Sequence, residues 1–189
     1  MGKTKEIRRV VTGNDEQGRS RVVSDGPAPK HWSSQLQTGT SFTDIWRIES
    51  HPADLSAEET TVGDAWHFEP PELGATVRVV HSTAKPNDYD SAKDSNIVAE
   101  HPPRMTDGGT WERGGQNLYQ TRIHKSATLD YGILLSGERT LILDDGEYVL
   151  QPGDIVIQIG SWHAWSNETS DSRMAFIMMG AQFEGGETP

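Results

Sequence analysis

The 189-residue chain contains no cysteine. That absence excludes disulfide bonds, thiolate metal sites and a cysteine nucleophile. No apolar run approaches the length that crosses a bilayer, and the basic first residues lack the apolar segment of a secretory signal. Basic residues are also scarce, with 17 Lys and Arg against 28 Asp and Glu and a formal net charge of -11. Because nucleic acids and anionic membranes bind basic surfaces, we expect neither as a partner, and we expect a cytoplasmic protein.

Several catalytic and binding motifs are missing as well. The sequence has no G-x-S-x-G nucleophile elbow, which leaves a hydrolase of that kind unsupported. The pairs Gly108-Gly109 and Gly114-Gly115 lack the strand-to-helix context of a phosphate-binding loop. No helix-turn-helix pattern or basic face is present, so a DNA-binding regulator is a distant third among the function classes.

The sequence does contain short runs of Ile, Val and Leu separated by tight-turn signals. Three such runs lie at Gly132 to Leu135, Thr140 to Leu143 and Ile155 to Ile159, with Gly, Asp and Pro between them. Short β-prone runs at this spacing are typical of an antiparallel sheet or barrel. We therefore predict an all-β fold.

Earlier parts of the chain supply further strand candidates. Residues Glu6 to Thr12 and Arg19 to Asp25 flank a turn and predict a hairpin. The C-terminal third alone offers too few strands to close a barrel, so we expect Phe42 to Ile48 and Ala75 to His81 to join it. The remaining candidates are a strand at Ala65 to Glu69 and one or two helical turns at Pro52 to Glu59.

The composition divides the chain into three regions of one structural domain. Residues 1–82 hold N-terminal strands that pack on or extend the barrel. Residues 83–117 are polar and rich in Gly, Pro, Asp and Asn, and unstructured segments of that length are usually functional lids or excursions. We interpret them as a mobile insertion over the barrel mouth. Residues 118–183 hold the barrel core, and the tail from Glu184 is expected to fray.

Polar residues alternate along one predicted strand. Side chains two positions apart share a strand face. By that rule one face carries Gln120, Arg122, His124, Ser126, Thr128 and Asp130, and a later face carries His163, Trp165 and Asn167. Such a line is typical of a barrel with a wet or metal-bearing interior, and equally of a solvent face.

Two spaced motifs give this stretch a family resemblance. His124, Ser126, Asp130 and Gly137 follow the spacing G-x5-H-x-H-x3-4-E-x6-G, and Gly160, His163 and Asn167 follow the end of G-x5-P-x-G-x2-H-x3-N. Over roughly its C-terminal third the chain resembles the small single-domain members of the cupin superfamily. The resemblance implies a double-stranded β-helix (jelly-roll) barrel, here with an N-terminal β-strand extension.

The resemblance also implies a divalent metal ion such as Fe, Mn, Zn or Ni. The family's ligand set of three His and one Glu reduces here to His124, Asp130 and His163, because Ser126 replaces the second His and Asp130 is one methylene shorter than Glu. Two His and a carboxylate form a known facial arrangement that leaves positions open for substrate or water. Loss of the metal is the alternative implied by Ser126. Gln158 and Leu118 stand where the family motifs have proline and glycine.

Five further residues are candidate catalytic or substrate-binding groups. If Arg122 points inward, its guanidinium can hold a carboxylate or enolate; if it points outward, it is a solvated strand residue. Gln158 either orients a ligand inside the barrel or faces solvent. Gln120, Ser126 and Trp165 are predicted to contact the substrate, although core packing is as natural for Trp165.

Two functions follow from this reading. The first is a metal-dependent enzyme acting on a small organic metabolite, for which the resemblance implies oxygenase, decarboxylase, isomerase or lyase chemistry. The second is a non-catalytic cupin that has lost its metal and binds a small molecule. The proteins that this chain resembles commonly dimerise, often by exchanging an N-terminal strand, so we expect a homodimer, and the strand pair between Glu6 and Asp25 is a candidate for that exchange.

Overall fold

The computed structural model describes residues 6–55 and 66–183, which are built almost entirely from β-strands. A single 3-10 turn, Ser91–Lys93, is the only helical element in these two ranges. The strands are β1 (Arg8–Asn14), β2 (Ser20–Pro27), β3 (Lys30–Ser33), β4 (Ser41–Ile48), β5 (Ala75–Ser82), β6 (Arg104–Met105), β7 (Trp111–Glu112), β8 (His124–Lys125), β9 (Thr128–Ser136), β10 (Arg139–Leu143), β11 (Gly146–Leu150), β12 (Ile155–Ile159), β13 (Ala164–Ser166) and β14 (Ser172–Gly180).

Two antiparallel layers face each other, as the all-β prediction required. The larger layer is a six-stranded sheet in the order β12-β9-β14-β5-β4-β3. The second layer combines β11-β10-β13 with β6-β7-β8, and the two parts meet through mutual backbone hydrogen bonds between His124 and His163 of 2.9 and 3.0 Å. The strands that carry the two motif histidines are therefore neighbours.

The core lies between the layers and follows the alternation of the strands. In β9, Thr128, Asp130, Gly132 and Leu134 are buried, whereas the residues between them are only half-buried. Leu134 forms one buried cluster with Leu141, Leu150, Trp165 and Met174. The inward face of β9 thus passes from polar at its start to apolar at its end, which places the polar groups at one end of the barrel.

Strand β12 reverses the usual pattern of apolar residues inside and polar residues outside. Ile155, Ile157 and Ile159 are 61%, 59% and 76% exposed, whereas Gln158 is 4% exposed. The alternative in which Gln158 faces solvent is therefore wrong. Gln158 pairs with Asp130 across β12 and β9, so the two polar side chains share the inner face of the sheet.

The N-terminal predictions are largely confirmed. Strands β1 and β2 form the expected hairpin, with an irregularity between Val11 and Thr12. The hairpin is fastened to β4 by Arg9, whose guanidinium lies 5.8 Å from the Trp46 ring centroid and donates to Ile45 O at 3.3 Å. As predicted, β4 and β5 join the barrel. They pair with each other, and β5 pairs with β14 within the large sheet.

Two smaller predictions near residue 60 are wrong for the residues that the structure describes. Residues 66–69 are not in a strand, so the candidate at Ala65 to Glu69 is wrong for its described part, and Ala65 lies outside the described residues. Backbone carbonyls in this segment instead accept hydrogen bonds from Arg78, as set out below. Residues 52–55 are not helical, and the rest of the predicted helical turns, like the tail from Glu184, falls outside the described ranges.

The segment 83–117 carries the 3-10 turn and the short strands β6 and β7. It is tied to the barrel by backbone hydrogen bonds from Arg113 N to Ile123 O (3.0 Å) and from Ile123 N to Gly114 O (2.7 Å). Its tip at residues 106–110 reaches the wall of the central cavity. The mobility of this segment and the region boundaries at residues 82 and 117 remain predictions. Among the described residues there is no helix of the length and apolarity that a membrane span requires.

Candidate active site

A cavity of about 670 Å³ opens between the two layers at the polar end of the barrel. That volume suits a small organic ligand. Much of its wall is aromatic or aliphatic, contributed by Trp32, Leu36, Phe42, Trp66, Phe68, Val80, Trp165, Phe176 and Met178. A few charged and polar groups converge on this apolar wall, among them Arg78, Arg122, His124, Ser126, Asp130, Arg139 and His163. An apolar wall with a few convergent polar groups is typical of a binding or active site.

The two motif histidines form the polar centre of the cavity. Their ring centroids are 4.3 Å apart, and both side chains are buried. His124 Nδ1 lies 2.8 Å from Arg122 O, and His163 Nδ1 lies 2.9 Å from Ser161 O. Because a carbonyl oxygen can only accept a hydrogen bond, each Nδ1 carries the hydrogen and each Nε2 keeps its lone pair. Both imidazoles are thus set in the tautomer that ligates a metal or accepts a proton through Nε2.

Burial keeps both imidazoles neutral. It lowers the pKa of His124 to about 4, partly opposed by the hydrogen bond to Arg122 O. Burial is also the main reason why the pKa of His163 is lowered to about 3, and repulsion from a proton on His124 is a second reason for the same shift. Aromatic edges hold both rings in place: Phe68 meets His124 with centroids 5.8 Å apart, and Trp165 meets His163 at 5.9 Å.

Asp130 lies in the same cavity and is 6% exposed. The pKa of its carboxyl is raised to about 7. Burial is the main cause, a hydrogen bond with Thr128 partly opposes it, and the negative charge of Glu69 adds to it. Its Oδ1 is buried and has no hydrogen-bond partner within residues 6–55 and 66–183. A carboxyl with a pKa near 7 and a free oxygen suits either proton transfer or binding of a cation.

Arg139, which the sequence analysis did not select, is a second buried charged residue on the cavity wall with unsatisfied atoms within the described ranges. The side chain is 3% exposed and lines the cavity at the start of β10. Its guanidinium carbon lies 5.3 Å from the Trp165 ring centroid. The alternation of side chains along β10 could have predicted that Arg139 points inward, because it shares a strand face with the core residue Leu141. The predicted run begins at Thr140, one residue later than the observed strand, and therefore leaves Arg139 out.

The remaining predicted site residues divide into two groups. Arg122, Ser126 and Trp165 line the cavity, and the Ser126 hydroxyl lies 2.8 Å from Thr128 Oγ1. Gln120 and Gln158 are not on the cavity wall among the described residues. Gln120 Nε2 instead donates to Gly115 O at 2.6 Å, and Gln158 Oε1 accepts from Ser161 Oγ at 3.3 Å. These two amides hold loops beside the site, and the geometry does not support their predicted roles in substrate binding and catalysis.

The donor chemistry of the cavity fits a borderline divalent cation. Two imidazole Nε2 atoms and one carboxylate oxygen are free of hydrogen bonds to the described chain, and such a set is typical of Zn, Fe, Mn or Ni sites. In the described part of the chain, however, no group of three or more His, Cys, Asp or Glu side chains is arranged to hold a metal ion. His124 and His163 converge, and Asp130 does not complete a ligand group with them in this arrangement.

Comparison with known proteins decides the family. A family model described as "Cupin domain" matches residues 112–180. The chain is 32% identical over 167 residues to phomopsin biosynthesis cluster protein D of Diaporthe leptostromiformis, covering 79% of this chain and 82% of that protein. It is 36% identical over 171 residues to the cupin-domain-containing oxidoreductase srdD of Neurospora crassa, covering 90% and 71%. The chain belongs to the cupin superfamily.

A third relative, oryzines biosynthesis cluster protein J of Aspergillus oryzae, is 24% identical over 186 residues and covers 94% of this cupin and 84% of its own length. The predicted jelly-roll fold and family are thereby confirmed. The relatives are named as an oxidoreductase and as biosynthesis cluster proteins, and none of these names specifies a metal.

Two motif residues of this cupin, Gly137 and Asn167, stabilise the loops around the site. Gly137 has φ +77°, and a Cβ there would lie 1.8 Å from Asp171 O, so only glycine fits the turn between β9 and β10. Asn167 donates through Nδ2 to Glu138 O at 2.8 Å and to Ser170 O at 2.9 Å. The motif glycine and asparagine thus hold the loops at β10 and β13, next to Arg139 and His163.

Proposed function

We propose that this cupin is a metal-dependent enzyme that acts on a small organic metabolite bound in the central cavity. The observation that supports this most strongly is the buried imidazole pair, with both Nδ1 atoms committed to backbone carbonyls and both Nε2 atoms free. The oxidoreductase name of a relative that is 36% identical is consistent with an enzymatic role. Metal-ligating histidines usually donate their other ring N–H to a carbonyl or carboxylate in this way.

His124 and His163 would hold the ion, and Asp130 is the carboxylate available to complete the set. When bound, a divalent cation would supply Lewis-acid or oxygen-binding chemistry at a substrate oxygen. The chain's own residues perform the other tasks. The Asp130 carboxyl, whose pKa burial raises to about 7, can take or release a proton at Oδ1. The aromatic wall excludes water and places the apolar part of the substrate.

The fold does not choose among oxygenase, decarboxylase, isomerase and lyase chemistry, because these reactions share one scaffold. One observation favours the second candidate, a cupin that binds a small molecule without a metal. No three-residue ligand group is assembled in the described ranges, and Ser126 occupies the position of the second family histidine. Both candidates use the same cavity, so metal content separates them.

The test is elemental analysis of protein purified without chelator, for the wild type and for His124→Ala and His163→Ala. The metal-dependent enzyme predicts close to one divalent ion per chain in the wild type and loss of that ion in both variants. His101→Ala is the control, because His101 is a half-buried histidine that lies outside the cavity wall and contacts Glu112 at 3.4 Å. A wild type that remains metal-free after incubation with Fe, Mn, Zn and Ni would leave only the metal-free binder.

A further inference from the structure

Arg139 has a buried charge that nothing in the described chain neutralises. Its Nε and Nη1 are buried without hydrogen-bond partners within residues 6–55 and 66–183. Its guanidinium stands over the rings of Trp165 and Phe176, with centroid distances of 5.3 and 6.0 Å. The two rings are nearly perpendicular to each other, with an interplanar angle of 75°, so they attract the cation through their faces without providing a hydrogen-bond acceptor for its N–H groups.

The second buried arginine of the cavity shows what a structural arginine looks like in this barrel. Arg78 is 2% exposed and donates to Asp44 through Nε at 2.5 Å and through Nη2 at 3.1 Å. It also donates to two backbone carbonyls. A buried charge is costly unless it is paired and hydrogen-bonded, and Arg78 meets both conditions. Arg139 meets neither with the described residues.

The neighbourhood of Arg139 shows where a partner would come from. Burial lowers the pKa of Arg139 to about 10, so the guanidinium stays protonated at neutral pH. Its charge also lowers the pKa of His163, which places the two groups close together on the cavity wall. Asp130 and Asp107 are the carboxyl groups of that wall, and neither forms an ion pair with Arg139 in the described structure. Arg139 therefore lines the cavity as a cation without a carboxylate partner in the described ranges.

We propose that Arg139 binds the carboxylate of an organic acid, so that the substrate of this cupin is a small acid with an aromatic or apolar body. The proposal rests on the proposed function only in treating the cavity as the substrate site. A carboxylate matches the planar guanidinium fork, and the aromatic wall matches an apolar body. Arg139 thereby takes the role that the sequence reading gave to Arg122, which is half-buried on the same wall.

The test compares acids with their uncharged amides. A panel of benzoate, phenylacetate and 3-phenylpropionate is titrated by calorimetry against the full-length protein, each beside its primary amide. The protein is used both as purified and after chelation, because a bound metal ion also attracts carboxylates. At least one acid is expected to bind about 10- to 100-fold more tightly than its amide, the range for charge-assisted hydrogen bonds from a buried arginine. That preference should survive chelation.

Variants assign the preference to Arg139. In Arg139→Met the acid should fall to the affinity of its amide, while the amide keeps its own. Arg113→Met is the matched control, because Arg113 also stacks on a tryptophan, 5.0 Å from the Trp162 centroid, but lies outside the cavity wall. It should bind the acid like the wild type. Without ligand, Arg139→Met should melt no lower than the wild type, because it removes an unpaired buried charge.

Three results would overturn the proposal: acids and amides binding the wild type equally, no acid in the panel binding, or Arg139→Met retaining the preference for the acid. The first two need no variant, so misfolding of Arg139→Met cannot rescue the idea. A metal-free protein that still prefers acids through Arg139 would refute the metal-dependent enzyme and leave this inference standing. A metalloprotein without any preference for acids would do the reverse.

Discussion

The buried pair of Asp44 and Arg78 gives the sharpest prediction for stability, through the variant Asp44→Ala. The two residues are directly opposite each other on β4 and β5, and their side chains are 4% and 2% exposed. Asp44 is the sole carboxylate that pairs with Arg78 in the described structure. Its removal leaves a buried guanidinium whose charge is uncompensated.

The expected cost is about 3 to 5 kcal/mol in the free energy of unfolding, the usual penalty for breaking one side of a buried pair. For a chain of this size a loss of 1 kcal/mol lowers the melting temperature by about 2 to 4 °C. Asp44→Ala should therefore lower it by roughly 6 to 20 °C. The assay is thermal unfolding followed by circular dichroism, with urea denaturation to give the free energy.

The hairpin supplies a matched control. Arg8 and Asp25 form a similar two-contact pair at 2.7 Å, but their side chains are 72% and 42% exposed. Asp25→Ala should leave the free energy of unfolding almost unchanged, because exposed pairs contribute little. The double variant Asp44→Ala/Arg78→Met should recover much of the loss, because it removes the stranded charge. Equal losses in Asp44→Ala and Asp25→Ala would refute the reasoning.

Two further predictions concern the cavity. In metal-free protein, His124 and His163 stay neutral when folded but gain protons below about pH 6.5 when unfolded, whereas Asp130 stays protonated up to about pH 7 when folded. These groups together should lower the unfolding free energy by about 1 kcal/mol for each unit of pH between 6.5 and 5, because their net proton uptake on unfolding averages a little under one. His163→Gln should flatten this dependence and Asp130→Asn should steepen it, and identical urea-denaturation slopes in all three proteins would contradict the assignment. Ser126→His places the family's second histidine on the cavity wall. It should tighten the binding of a divalent ion, measured by calorimetry, at least about tenfold, or about 1.4 kcal/mol. Unchanged affinity would mean that a side chain at this position does not reach the ion.

The sequence predicted the barrel well because its signals are local. Turn glycines such as Gly137, alternation along β9 and the short spacing between strands each act within a few residues. The same alternation placed Arg122, His124, Ser126 and Asp130 on one face, and all four line the cavity. This result holds although the stretch is broken between β8 and β9 and is not one continuous strand.

The failures concern contacts between distant segments. Strand alternation predicts that Gln120 contacts the substrate, yet its side-chain amide donates a hydrogen bond to Gly115 O. Arg78 was read only as part of a strand, because nothing local shows that Asp44 lies opposite it. Convergence of His124 with His163 was predicted through the family motif and depends on a backbone pairing between residues 39 positions apart. Such pairings depend on topology, which periodicity alone does not specify.

The cost of the cavity's polar groups is itself an argument about function. An inward wall built for stability alone would be apolar or fully hydrogen-bonded, as the core around Leu134 and the Asp44–Arg78 pair are. Within the described structure, unpartnered buried atoms on the cavity wall include Asp130 Oδ1 and Arg139 Nε and Nη1, and the two imidazole Nε2 atoms open onto the same space. We expect a ligand to complete the guanidinium, because Arg139 has no carboxylate partner in the described ranges. A single small acid that reaches from Arg139 to the imidazoles would satisfy the guanidinium at one end and leave Asp130 free for proton transfer at the other.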